Sequence, residues 1–108
     1  MMDWEQAAEY HKALADKTRL RILALLKVEE LCVCELVEVL KITQPAVSQH
    51  MRKLKNAKLV KERRQGQWVI YSLDGSVYPF FQSVLETLPD MRSEIEELKK
   101  SGRKIVCD

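Results

Sequence analysis

Apolar residues alternate with polar ones at helical spacing through the first quarter of the chain. Trp4, Ala7, Ala8, His11 and Leu14 share one face, which predicts a helix from Asp3 to about Leu14. Asp16 can cap a second helix through Leu26, rich in Leu20, Ile22, Leu23, Leu25 and Leu26. Glu29-Glu30 separates it from a short third helix, about Val33 to Leu40, with Leu36, Val39 and Leu40 as its buried stripe. Ile42-Thr43 makes a turn. Thr43 is a good N-cap for a fourth helix to about Asn56, and Pro45 is tolerated in its first turn because the missing N–H would be unpaired there anyway. From Leu59 to Leu73, apolar and β-branched residues flank a polar tip containing Gly66, the pattern of a β-hairpin. A helix from Ser76 to about Thr87 carries Val77, Phe80, Phe81, Val84 and Leu85, and Pro89 ends the segment. Asp90 is placed to cap a charged helix to about Lys100. The prediction is one mainly α domain over residues 1–108, with a small β-hairpin and a tail from about 101 to 108 open to motion.

In the fourth helix, Val47, Met51 and Leu54 fall at i, i+4 and i+7 and face a core, while Pro45, Ser48, Gln49 and Arg52 fall opposite. Two short helices joined by a tight turn, the second with a polar and basic outer face, make a helix-turn-helix, and the hairpin after it makes a wing. The charge distribution supports this. The net charge of +2 conceals −3 over residues 1–40, +7 over 41–73 and −2 over 74–108. Positive potential concentrated in the central third is what a phosphate-facing surface requires. Thr43, Gln44, Ser48, Gln49 and Arg52 are the candidates to lie at base edges, since Gln pairs bidentately with adenine and Arg with guanine. Lys53, Lys55, Arg63 and Arg64 are the candidates for phosphate or, from the wing, the minor groove. Trp68 and Tyr71 read as packing residues of the wing.

At 46% hydrophobic and 31% charged residues, the composition is that of a folded soluble domain. No apolar run approaches the roughly 18 residues of a membrane helix, and the first residues lack a signal-peptide pattern, so a cytoplasmic location without membrane association is expected. In that reducing compartment Cys32, Cys34 and Cys107 read as ligands or redox sensors before structural disulfides. Thiolates select soft ions over magnesium or calcium. Residues i and i+2 of a helix point about 200° apart, so Cys32 and Cys34 can share one ion only if Cys32 precedes the helix or binding unwinds its first turn. His11 and His50 read as packing or locally hydrogen-bonded residues. No C-x-x-C, Gly-rich cofactor loop or His/Asp constellation accompanies the thiols, which argues against an enzyme.

Four separate blocks occur in order: Leu14-Ala15-Asp16-Lys17-Thr18-Arg19-Leu20-Arg21-Ile22-Leu23, Glu30-Leu31-Cys32-Val33-Cys34-Glu35-Leu36, Gln44-Pro45-Ala46-Val47-Ser48-Gln49-His50-Met51, and Arg64-Gln65-Gly66-Gln67-Trp68-Val69-Ile70-Tyr71. Together they resemble the ArsR/SmtB family of bacterial repressors over roughly residues 5–88. The resemblance implies a homodimeric winged helix-turn-helix protein that sits on an inverted-repeat operator in double-stranded DNA and leaves it when an inducer binds. Within the family, Glu30-Leu31-Cys32-Val33-Cys34 resembles the branch that senses trivalent arsenic and antimony, which implies no permanently bound cofactor and As(III) or Sb(III) as inducer on Cys32 and Cys34. That branch typically has a further Cys where this chain has Val37. Either Cys107 supplies the third sulfur, from the same or the other subunit, or two sulfurs suffice. A thiol redox or reactive-sulfur sensor of the same fold is the alternative. The helices around Trp4, Ala8 and His11 and around Phe80, Phe81, Val84 and Leu85 carry more apolar surface than a small monomer buries and are the expected dimer interface.

Overall fold

Helix α1 (Trp4–Leu14) starts where Asp3 accepts a hydrogen bond from the backbone N–H of Gln6, and α2 (Lys17–Val28) starts where Asp16 accepts one from that of Arg19. These capping bonds satisfy donors that the helix itself leaves open. In the computed structural model, which describes residues 2–101, the chain continues through β1 (Leu31–Cys32), α3 (Val33–Leu40), α4 (Gln44–Asn56), β2 (Val60–Gln65), β3 (Trp68–Leu73), α5 (Phe81–Glu86) and α6 (Arg92–Lys100). A three-stranded antiparallel sheet has the order β1-β3-β2. Gly66 takes φ +63° in the hairpin turn between paired Gln65 and Trp68, a conformation that only glycine adopts without strain. Ile22, Leu23, Leu25, Leu31, Leu36, Val47, Met51, Leu54 and Leu59 form the centre of the core. No described helix is long and apolar enough to cross a membrane.

Several sequence expectations change. The two-residue strand β1 lies between the second and third helices, where none is expected; Leu31 pairs with Tyr71 and Cys32 with Ile70. Two residues give no periodicity to read, so only the partner strand reveals it. The helix expected from Ser76 begins at Phe81 instead. Asp74 accepts bonds from the backbone and hydroxyl of Ser76, Gly75 adopts φ +69°, and Pro79 disfavours helical backbone at Tyr78. A Cβ on Gly75 would fall 2.1 Å from the Phe81 ring, so the turn admits no larger residue without rearrangement.

Helix α1 buries Tyr10 and Ala13, while Trp4, Ala8 and His11 face outward. Leu14 of the predicted apolar face packs on the core, and Trp4, Ala8 and His11 of that face remain at the surface. Tyr10 is packed against Tyr78 and Phe80, with ring centroids 4.5 and 5.3 Å away, and burial pushes its hydroxyl above the usual tyrosine range. Asp90 accepts from the backbone N–H of Arg92, but the residue at the N-cap of α6 is Met91. The charged helix is amphipathic: Ile95 and Leu98 enter the core.

Candidate nucleic-acid interface and thiol site

Lys41 adopts a left-handed conformation, φ 57°, and ends α3; Thr43 then accepts a bond from the backbone N–H of Ala46 and starts α4. Val47, Met51 and Leu54 are buried, and this anchoring turns the other face of α4 outward. On that face Gln44, Gln49, Arg52 and Lys53 are exposed, Thr43 precedes them at the surface, and Ser48 is half-buried. Lys55 is paired with Glu62 on β2, which ties the end of α4 to the wing and holds the Glu62 carboxyl below its usual range. Arg52 and Lys53 make no ion pair among the described residues.

The two wing arginines differ. Successive strand residues point to opposite faces, and Arg63 reaches Glu30 with 3.1 Å between Nη2 and Oε1. Arg64 lies on the other face, where Glu62 also sits. Arg63 therefore braces the segment before β1, and Arg64 is the wing cation turned elsewhere. Trp68 is half-buried. Tyr71 is buried, and that burial, reinforced by Glu62, raises its hydroxyl pKa.

Cys32 is at once the end of β1 and the N-cap of α3. Its backbone N–H donates to Oε1 of Glu35 at 2.9 Å, while its own side chain faces the backbone N–H of Glu35, a reciprocal capping box with sulfur in place of the usual hydroxyl. Glu35 and Cys32 are each 1% exposed. Cys34 lies in the first turn of α3 and is exposed. One thiol thus points into the core and the other to the surface. Cys32 does precede the helix, but it is buried while Cys34 is exposed. Among the described residues no group of three or more His, Cys, Asp or Glu is arranged to hold a metal ion. Cys107 lies outside the described residues. His11 donates from Nδ1 to the Ala7 carbonyl at 2.8 Å, a local bond, whereas His50 is bonded to Arg19 on α2.

The residues expected at a dimer interface divide into two sets. Phe81 and Leu85 are buried within the subunit and have no surface left to offer, and Val84 is half-buried. Trp4 is 92% exposed, Val77 51% and Phe80 43%, and these three line one groove of about 720 Å³ with Met2, Ala7 and Pro79. Ala8 and His11 are exposed on the neighbouring face of α1. Val77 joins this set from the turn before α5, which holds it out.

Helix-turn-helix, basic wing and flanking helices define the winged-helix fold of DNA-binding regulators. Residues 16–62 match the family described as "Bacterial regulatory protein, arsR family". The chain is 42% identical over 87 residues to a transcriptional repressor SmtB homolog of Synechocystis, covering 80% of this chain and 66% of that relative, just under two thirds of its length. It is 31% identical over 106 residues to an arsenical resistance operon repressor of Staphylococcus aureus, covering 98% of this chain and 92% of the relative. Among solved structures it is similar to the homodimeric winged helix-turn-helix DNA-binding domain Mb0332 of Mycobacterium bovis, with TM-score 0.69, 29% identity and 77% of each chain covered. The chain belongs to the arsR family.

The features that sequence reasoning missed are β1, the buried Glu35 and the Arg19–His50 contact. Glu35 has a usable signal: a carboxylate three residues after a candidate N-cap is the spacing of a capping box.

Proposed function

We propose that this protein is a homodimeric transcriptional repressor that leaves its operator when trivalent arsenic or antimony binds its cysteine thiolates. One observation carries the reading. Cys32 stands at the joint between the sheet and the helix-turn-helix, paired to Ile70 of the wing strand and capping α3, which packs on α4. Drawing the Cys32 sulfur toward an ion shared with exposed Cys34 pulls on β3 and on the first turn of α3 together. Both DNA-reading elements therefore respond to one event. The donor set fits a soft ion, and Cys107 is the candidate third sulfur. The S. aureus relative's description as an arsenical resistance repressor agrees with this choice. The groove at Trp4, Val77 and Phe80 suits a second copy of the chain, as the homodimeric Mb0332 domain suggests, and a two-fold dimer reads an inverted repeat.

The test is fluorescence anisotropy of the reduced protein on its promoter DNA, titrated anaerobically with arsenite. Release at low micromolar arsenite is expected, and Cys34→Ser should abolish it while leaving DNA affinity intact, because the replaced thiol lies at the surface. DNA binding that arsenite leaves undisturbed would remove the metalloid reading and favour oxidants acting on exposed Cys34.

Thr43, Gln44, Ser48, Gln49 and Arg52 are assigned to the major groove, and Lys53, Lys55, Arg63 and Arg64 to phosphate or the minor groove. Arg64→Ala is expected to lower the slope of log K against log salt by about 1. Arg63→Ala should change the slope less, because Glu30 already neutralises it. An unchanged slope in Arg64→Ala takes that residue out of the interface.

A further inference from the structure

Arg19 is a buried cation, 8% exposed, that joins three helices. Its Nε donates to the Ala13 carbonyl and its Nη2 to the Lys12 carbonyl, both at 2.9 Å, at the end of α1, where the Lys12 carbonyl also accepts the Ala15 N–H. Its Nη1 donates to Nδ1 of His50 on α4 at 3.2 Å. Its backbone N–H is held by Asp16. Guanidinium has donors only, so Nδ1 of His50 must be the acceptor, which requires a neutral ring with its proton on Nε2.

We propose that Arg19 and His50 form a positioning latch, which sets the recognition helix against the α1–α2 corner only while His50 is neutral. The latch rests on the reading of α4 as the DNA-facing helix. His50 is flanked by Gln49 and is two residues from Arg52, so a shift of its backbone is a shift of those side chains. Protonation places an N–H on Nδ1 and removes the acceptor. Two cations then stand at the same contact, while the Asp16 carboxylate, 3.9 Å from Nδ1, becomes the attractive neighbour. The charged groups facing His50 are thus Arg19 and Asp16 from α2; α1 contributes the Lys12 and Ala13 carbonyls through Arg19, and on α4 itself Lys53 lies three residues on. Loss of the acceptor on protonation is what opens the latch.

The experiment compares wild type, His50→Gln and His50→Phe for operator affinity at two pH values and constant ionic strength. Gln offers an amide oxygen to Arg19 at every pH; Phe fills space without an acceptor. At about pH 8, His50→Phe should bind about tenfold more weakly and His50→Gln within about twofold of wild type. On acidification, wild type should lose affinity relative to His50→Gln. A His50→Phe variant that binds like wild type at the higher pH overturns the latch. So does a His50→Gln variant that follows wild type on acidification. Nitrogen NMR of the imidazole in DNA-free protein gives a second readout: the Nε2–H form is expected, and the Nδ1–H form refutes the contact. If wild type binds no DNA at all, the DNA-facing reading fails, and the ring tautomer still decides the latch.

Discussion

Glu35→Ala is expected to lower the free energy of unfolding by about 2–4 kcal/mol, out of a total of about 5–15 kcal/mol for a domain of this kind. The carboxylate is buried and accepts the Cys32 N–H, so its loss strands a buried donor at the junction of β1 and α3. Removing a buried charge relieves its desolvation, which offsets part of the cost and sets the lower end of the range. Glu35→Gln keeps an oxygen acceptor and should recover most of the loss. Urea unfolding of the three proteins decides the matter, and a Glu35→Ala variant within about 0.5 kcal/mol of wild type would show that the capping box carries no stability. The same substitution removes one of the two bonds that tie the first turn of α3 to Cys32, so the response of DNA release to arsenite should weaken in Glu35→Ala even where DNA binding survives.

Leu54→Ala should destabilise by about 2–5 kcal/mol, the range for truncating a fully buried leucine. Leu54 is 0% exposed and lies on the stripe with Val47 and Met51 that holds α4 on the core. For domains near this size each kcal/mol moves Tm by about 4–8 °C, so thermal unfolding monitored by circular dichroism should show a fall of at least about 8 °C. A fall of under about 3 °C would mean that the site collapses around the smaller side chain. Leu54 also sits one turn before Lys58, whose φ of 63° ends the helix, with the Leu59 N–H bonded to the Leu54 carbonyl at 3.0 Å. The substitution leaves that backbone bond in place, so the measured loss reports packing alone.

Of the site, the outward face of α4 is legible in the amino-acid sequence. A helix repeats every 3.6 residues, so placing Val47, Met51 and Leu54 inward forces Gln49 and Arg52 outward. Thr43 announces the helix start, and the cap bond it accepts from Ala46 agrees. Gly66 announces the hairpin turn. The thiol pair is legible as a pair, and helix geometry leaves two ways for both to act together: Cys32 precedes the helix, as it does, or binding unwinds the first turn.

The local rules that make such residues readable act over a few positions: caps, periodicity and turn conformations. They determined α1 through α4, the wing and the family motifs. Tyr10 of α1 faces inward against Tyr78 and Phe80, some seventy residues away, so no spacing within α1 announces it. Strand β1 exists because β3 offers it partners, and α5 starts late because the turn at Gly75 packs on Phe81. The burial of Glu35 and Cys32, the exposure of Cys34, and the reach of Arg19 from α2 to His50 on α4 were likewise decided by tertiary packing. Contacts between distant segments leave no spacing in the sequence, and only the closed core brings their atoms within bonding distance.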